Sequence, residues 1–182
     1  LRCIPNLIVM TPSDENECYQ MLYTGFRLNQ ACAVRYPRGA GIGVDVDKTM
    51  QILPIGKGRI LRKGIKIAFL AFGSMVEPAL QVAHDIDATL CDMRFVKPLD
   101  VALVQQICNE HDFIVTIEEN VIMGGAGSAC LEAMQLLNLS NPVLQLGIPD
   151  EFTEHGDPKL LLRAIGLDQN GILQALKKKN WI

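Results

Sequence analysis

Short apolar runs alternate with helical stretches along the whole chain, and that order restricts the fold more than any single motif. Leu7-Ile8-Val9-Met10 precedes a helical stretch from Pro12 to about Asn29, and residues 31 to 36 read as a second strand. Strands are then expected at Lys66–Phe72, Thr89–Phe95, Phe113–Glu118 and Val143–Ile148. Helices are expected at Val76–Ile86, from Pro98 to about Glu110, over Gly125–Leu139, and near Pro158–Ile165 and Asn170–Lys178. Parallel strands need a long crossover and a helix supplies it, so this order predicts an α/β fold with a mostly parallel sheet covered on both faces. Gly58–Arg62 and Lys66–Phe72, separated by Gly64, predict a hairpin that adds one antiparallel edge strand. Thr11-Pro12-Ser13-Asp14 reads as a helix start, with Thr11 as cap and Pro12 at the first helical position.

The segment from 39 to 58 breaks the alternation. It holds Gly39, Gly41, Gly43, Pro54, Gly56 and Gly58 without strong periodicity, which predicts a connection between domains. The expected organisation is a strand–helix–strand piece closing one α/β domain over residues 1–40, a linker over 41–57, and a second α/β domain over 58–182. A chain of 182 residues that is 49% hydrophobic suits one core, or one domain plus part of another. It opens on Leu1 and enters a strand within a few residues, so a fragment of a longer protein is expected.

Charge and cysteine usage exclude several classes. A net charge of −3 argues against a general nucleic-acid surface, which needs a basic face. Lys177-Lys178-Lys179 is the one tight basic run, and it falls at the end of an expected helix, where cations suit the dipole. No apolar run reaches the ~18 residues of a membrane span. Cys3, Cys18, Cys32, Cys91, Cys108 and Cys130 form no C-x-x-C pair and no zinc-ligand spacing; most lie in apolar stretches and read as small core residues, and a reducing compartment is the simplest setting.

Candidate sites follow from where ligands gather in open α/β sheets, at the carboxyl ends of the strands. Val34-Arg35-Tyr36-Pro37-Arg38-Gly39 lies at such an end. Pro37 restrains its own backbone and that of Tyr36, and Gly39 lets the chain turn at once. Arg38 is thus launched from a constrained backbone, toward either an anionic ligand or an ion pair. Arg35 reads as structural, paired with a nearby acid. Glu118-Glu119-Asn120 followed by Gly124-Gly125-Ala126-Gly127-Ser128 opens a helix at another strand end. An anion there is one reading and close helix packing the other, the latter favoured because no dinucleotide or phosphate-loop fingerprint is present. Arg94, Lys97 and Asp100 suggest a salt-bridge cluster at the domain interface, with Asp100 at the following helix start. His84, His111 and His155 have no nucleophile or metal partner near them in sequence and read as structural or solvated.

Taken together, Thr11-Pro12-Ser13-Asp14-Glu15-Asn16-Glu17, Val34–Gly39 and Leu53-Pro54-Ile55-Gly56-Lys57-Gly58 resemble the thiamine-dependent transketolase superfamily. Asp92-Met93-Arg94-Phe95-Val96-Lys97-Pro98-Leu99-Asp100 and Glu118–Ser128 narrow the resemblance to its 1-deoxy-D-xylulose-5-phosphate synthase family, from Arg2 to about Leu173. The resemblance implies that residues 1–40 end the pyrimidine-binding domain and that 58–182 are the three-layer transketolase C-terminal domain. It implies an enzyme that condenses pyruvate with D-glyceraldehyde 3-phosphate, releasing carbon dioxide, with thiamine diphosphate and Mg²⁺ as cofactors. The family's Gly-Asp-Gly…Asn diphosphate motif and its activating Glu are expected upstream of Leu1, so no catalytic, cofactor or metal residue is expected in this chain. Arg38 is the position matching the family's contact to the phosphate of glyceraldehyde 3-phosphate. A cytoplasmic homodimer is implied, with no nucleic-acid or membrane partner. A transketolase, a 2-oxoacid dehydrogenase β subunit and a noncatalytic regulatory or dimerisation module are the alternatives.

Overall fold

The computed structural model describes residues 1–182. Strands β1 (Ile8–Met10), β2 (Cys32–Val34), β3 (Arg59–Arg62), β4 (Ile67–Phe72), β5 (Thr89–Asp92), β6 (Phe95–Lys97), β7 (Phe113–Val121) and β8 (Val143–Ile148) form two sheets. Helices α1 (Glu15–Arg27), α2 (Val76–Asp85), α3 (Val101–Glu110), α4 (Ala126–Leu136), α5 (Pro158–Ala164) and α6 (Gln169–Lys178) connect and cover them. The larger sheet has the order β3-β5-β4-β7-β8 and the smaller β2-β1-β6. Strands β5, β4, β7 and β8 run parallel, and β3 is the antiparallel edge.

The β4 run Ile67-Ala68-Phe69-Leu70-Ala71-Phe72 shows why the larger sheet has helices on both sides. All six residues are buried, and successive side chains serve opposite cores. Ile67, Phe69 and Ala71 pack with Val82 and Ala83 of α2 and Ile172 and Leu176 of α6. Ala68, Leu70 and Phe72 pack with Val104 and Ile107 of α3 and Cys130 and Met134 of α4. Burying one such aliphatic or aromatic side chain contributes about 1.5–3 kcal/mol, so these two layers hold the sheet. A third core, under the small sheet, joins Ile8 and Met10 to Met21, Phe95 and Leu53.

Three local expectations are corrected. First, β3 and β4 do not form a hairpin, because β5 lies between them. A strand buried on both faces belongs inside a sheet, whereas Arg59-Ile60-Leu61-Arg62, with an arginine at each end, suits an edge. Gly64 serves instead the close passage of another segment, since a Cβ there would sit 2.2 Å from the Asp87 carbonyl oxygen. Second, the expected strand at 89–95 is two strands. Arg94 takes φ 58°, and this left-handed kink carries the chain out of the large sheet, so that Phe95 pairs with Met10 of β1. Third, the cap of α1 is Asp14 and not Thr11: the Asp14 carboxylate accepts the Glu17 N–H at 2.7 Å. The Thr11 hydroxyl is turned instead to the Arg94 carbonyl, to which it donates at 3.3 Å.

Residues 35–58 form neither helix nor strand, yet much of this segment is ordered by polar side chains of α1. Gln20 donates to the carbonyls of Asp47 and Thr49 and accepts the Gln51 N–H at 2.7 Å. The Thr24 hydroxyl accepts the Leu53 N–H at 2.9 Å. Gln20 and Thr24 are buried without being apolar because they supply the backbone partners that a strand would otherwise provide.

Candidate functional site

The carboxyl ends of β1, β2, β4 and β7 converge on two neighbouring clefts. One, of about 190 Å³, is lined by residues 12–15, Cys18, Tyr36, Pro37, residues 39–42 and Ser74. The other, of about 180 Å³, has Thr11, Arg35, Glu119 and Asn120 in its wall. Arg35 spans the junction of the two sheets by donating to the Glu119 carbonyl at 2.5 Å, and the Glu119 carboxylate accepts the Ser74 hydroxyl. The acid partner expected for Arg35 is replaced by a carbonyl, and Arg35 also forms part of the second cleft's wall. It lies beyond the strand, which ends at Val34 rather than at 36.

Arg38 is exposed and lies in sequence between Pro37 and Gly39, which line the first cleft, although Arg38 itself lines neither cleft. It makes no hydrogen bond and no ion pair within the chain. Arg2, Arg35, Arg59, Arg62 and Arg94 all do. Arg27 and Arg163 lie in the last turns of α1 and α5, where the helix dipole accommodates a cation. Arg38 has neither kind of compensation.

The expected grouping of Arg94, Lys97 and Asp100 does not form, because the left-handed kink at Arg94 turns its guanidinium to a different cluster. Arg94 binds the Glu17 carboxylate at 2.7 Å, and Arg59 contacts Glu17 at 3.1 Å and Asp92 at 3.0 Å. Burial pushes the Asp92 carboxyl above its ordinary range, with the Arg59 guanidinium opposing that rise. Glu17, Arg59 and Asp92 were not singled out from the sequence, because nothing local distinguishes them. Lys97 stands outside the cluster, donating to the carbonyls of Arg2 and Ile4. Asp100 caps α3 through the Leu103 N–H and pairs with Lys57 at 3.3 Å.

The glycine loop opening α4 is filled by the protein's own carboxylate. Glu118 accepts the N–H groups of Ala126 and Gly127, each at 2.7 Å. Burial raises the Glu118 carboxyl above its usual range, and those two N–H groups pull it back down. A Cβ on Gly125 would overlap this carboxylate, and one on Gly127 would come within 2.6 Å of Thr116 Oγ1. Close packing thus accounts for both glycines. Gly127→Ala is expected to cost about 1–3 kcal/mol by overpacking, read as a lower urea midpoint with unchanged slope.

The remaining candidates are structural or free of partners. His111 is buried between Thr89 Oγ1 at 2.7 Å and the Ile107 carbonyl at 2.9 Å, whereas His84 and His155 are exposed. All six cysteines are unpaired, and Cys91, Cys108 and Cys130 are buried. Burial pushes the Cys91 thiol up to about 12 and the Cys108 thiol to about 11, so neither is a nucleophile at neutral pH. No cluster of three or more His, Cys, Asp or Glu has metal-ligand geometry, and the N-terminus of α4 is occupied by Glu118.

Residues 56–172 match the family model described as the C-terminal domain of transketolase. The chain is 57% identical over 179 residues to the 1-deoxy-D-xylulose-5-phosphate synthase of Chromobacterium violaceum and 55% identical to that of Nitrosospira multiformis. In both alignments it covers 98% of itself and 29% of the relative's length. Among solved structures it is similar to a split gene transketolase, described as an inactive β4 tetramer, with TM-score 0.87, 27% identity, and coverage of 97% of this chain and 59% of that one. The transketolase of Leishmania mexicana shares the fold at TM-score 0.64 and 16% identity, over 98% of this chain and 26% of that one.

Proposed function

Since this chain belongs to the family of transketolase C-terminal domains, we propose that it is the carboxyl-terminal portion of a thiamine diphosphate-dependent 1-deoxy-D-xylulose-5-phosphate synthase. The parent protein condenses pyruvate with D-glyceraldehyde 3-phosphate and releases carbon dioxide, a step toward isoprenoids, thiamine and pyridoxal. Residues 1–40 close its pyrimidine-binding domain, 41–57 are the connection, and 58–182 are the C-terminal domain. Thiamine diphosphate supplies the chemistry at the donor carbon. It is held with Mg²⁺ by residues outside this chain, in a cytoplasmic homodimer. This chain's own part is to present Arg38 to the phosphate of the acceptor aldehyde.

One observation supports the assignment of Arg38: an exposed guanidinium with no protein anion bound to it, on a segment whose neighbouring residues Pro37 and Gly39 line a cleft at the carboxyl side of the strands. A planar, permanently charged fork suits a bidentate grip on a phosphate, as it does on a carboxylate. The glycine loop offers no rival anion site, since its N–H groups are already taken by Glu118.

The assay that tests this reading uses the full-length protein with both cofactors, pyruvate and D-glyceraldehyde 3-phosphate. The expected result is carbon dioxide and 1-deoxy-D-xylulose 5-phosphate in equal amounts. This chain alone, under the same conditions, is expected to release no carbon dioxide. The fold match to the split gene transketolase favours a second reading, a transketolase. Its signature is two-carbon transfer from a ketose phosphate without carbon dioxide release.

A further inference from the structure

The segment that carries Arg38 is held in a way that singles out one residue of α1. Residues 36–43 are all exposed, and Gly39 and Gly43 take φ 149° and 85°. Between Arg35, whose N–H is bound to the Met10 carbonyl, and Asp47, whose N–H is bound to Asn16 Oδ1, the chain makes one hydrogen bond to the rest of the protein. The Gly43 N–H donates to Glu15 Oε1 at 2.8 Å. Gly41 passes so close that a Cβ there would lie 2.1 Å from the same oxygen. A three-glycine arm with few contacts and one tether is the kind of segment that samples many conformations once released.

We propose that Glu15 is the positioning residue for Arg38, its carboxylate anchoring the glycine arm so that the guanidinium waits beside the first cleft for the acceptor phosphate. The proposal rests on the reading of Arg38 as the phosphate contact. The chemistry of Glu15 suits an anchor that does not compete with the substrate. Its carboxylate makes no ion pair with Arg38, so the guanidinium stays available. It sits in the first turn of α1, where the helix dipole favours a negative charge. The Gly43 N–H foremost, then the N–H of Glu15 itself, lowers its pKa below the ordinary glutamate value, so the anchor is ionised at neutral pH. Ordering the arm beforehand removes an entropic cost from acceptor binding and leaves the pyruvate half of the reaction alone.

The test uses the full-length enzyme, with steady-state kinetics on D-glyceraldehyde 3-phosphate and on D-glyceraldehyde, which lacks the phosphate. Glu15→Gln is expected to raise KM for the phosphorylated acceptor by about five- to tenfold, with kcat, KM for pyruvate and D-glyceraldehyde use within about twofold. Gly41→Ala, which pushes against the carboxylate from the arm's side, is expected to do the same, and it decides the matter should Glu15→Gln lose its fold in a thermal melt. Added to Arg38→Ala, Glu15→Gln is expected to raise KM no further, because the group it positions is gone. Equal losses on both acceptors, or full additivity with Arg38→Ala, would overturn the proposal. A rise in KM for Arg38→Ala with none for either arm variant rejects Glu15 alone. No rise for Arg38→Ala rejects the Arg38 reading and this proposal with it.

Discussion

Arg38→Ala in the full-length enzyme is expected to raise KM for D-glyceraldehyde 3-phosphate by about ten- to 150-fold, corresponding to the roughly 1.5–3 kcal/mol of a hydrogen bond to a charged group. KM for pyruvate is expected to stay within about twofold, because pyruvate carries no phosphate for this arm to meet. Arg38 contributes no ion pair and no hydrogen bond to the folded chain, so its removal leaves no buried group unpaired. Stability should therefore be unchanged, which separates a binding role from a folding role. Arg38→Lys keeps a charge but not the planar fork, and an intermediate KM is expected. The control is D-glyceraldehyde, whose use should be indifferent to both substitutions. Equal loss of pyruvate and aldehyde use, or a penalty that persists without the phosphate, would remove Arg38 from the acceptor site.

The parts of the fold that could be read from the sequence are those written locally. The β4 run Ile67–Phe72 has the length and apolar continuity of a buried strand, and both it and the half-buried edge strand Val143–Ile148 occur where expected. Helix ends were legible where a capping side chain sits beside an apolar period, as at Asp100 before α3. Strand order was not, because nothing within Arg59–Arg62 says that its partner is β5, some thirty residues on, and not the adjacent β4. The break at Arg94 was hidden for a related reason. A left-handed arginine leaves no mark in composition, and only pairing across to Met10 reveals that Phe95 has changed sheets. Within the candidate site, the Pro37 and Gly39 flanks pointed to Arg38. That its guanidinium lacks a protein partner became visible only with every other arginine placed. Glu15 was part of a recognisable helix start, but its grip on Gly43 depends on a loop folding back by 28 positions.

The second large effect concerns Asp92, whose replacement by alanine is expected to lower stability by about 3 kcal/mol at neutral pH. The carboxylate is fully buried at the end of β5 and accepts Arg59 Nε at 3.2 Å, Arg59 Nη2 at 3.0 Å and the Ser13 hydroxyl at 3.0 Å. It also accepts the Arg94 N–H at 3.2 Å, at the point where the chain leaves one sheet for the other. Removing one partner of a buried pair typically costs about 3–5 kcal/mol, because the other charge is left uncompensated. The lower end applies here, since Arg59 is 35% exposed and keeps its contact to Glu17. The pH dependence gives an independent check. Burial raises the folded-state pKa of Asp92 above its unfolded value, so the folded chain binds this proton more tightly than the unfolded chain does. The ionised form therefore costs stability above the folded pKa, and that cost is relieved as pH falls through it toward the ordinary aspartate range. Arg59, Arg94, Glu17 and Asp14 face the same cluster and are common to wild type and variant. Urea midpoints of wild type and Asp92→Ala should consequently move apart on acidification toward the ordinary aspartate range. Midpoints that converge would mean that the attraction of Arg59 outweighs the desolvation of the carboxylate, and that the junction of the two sheets is held by charge rather than by a hydrogen-bonded, proton-tolerant acceptor.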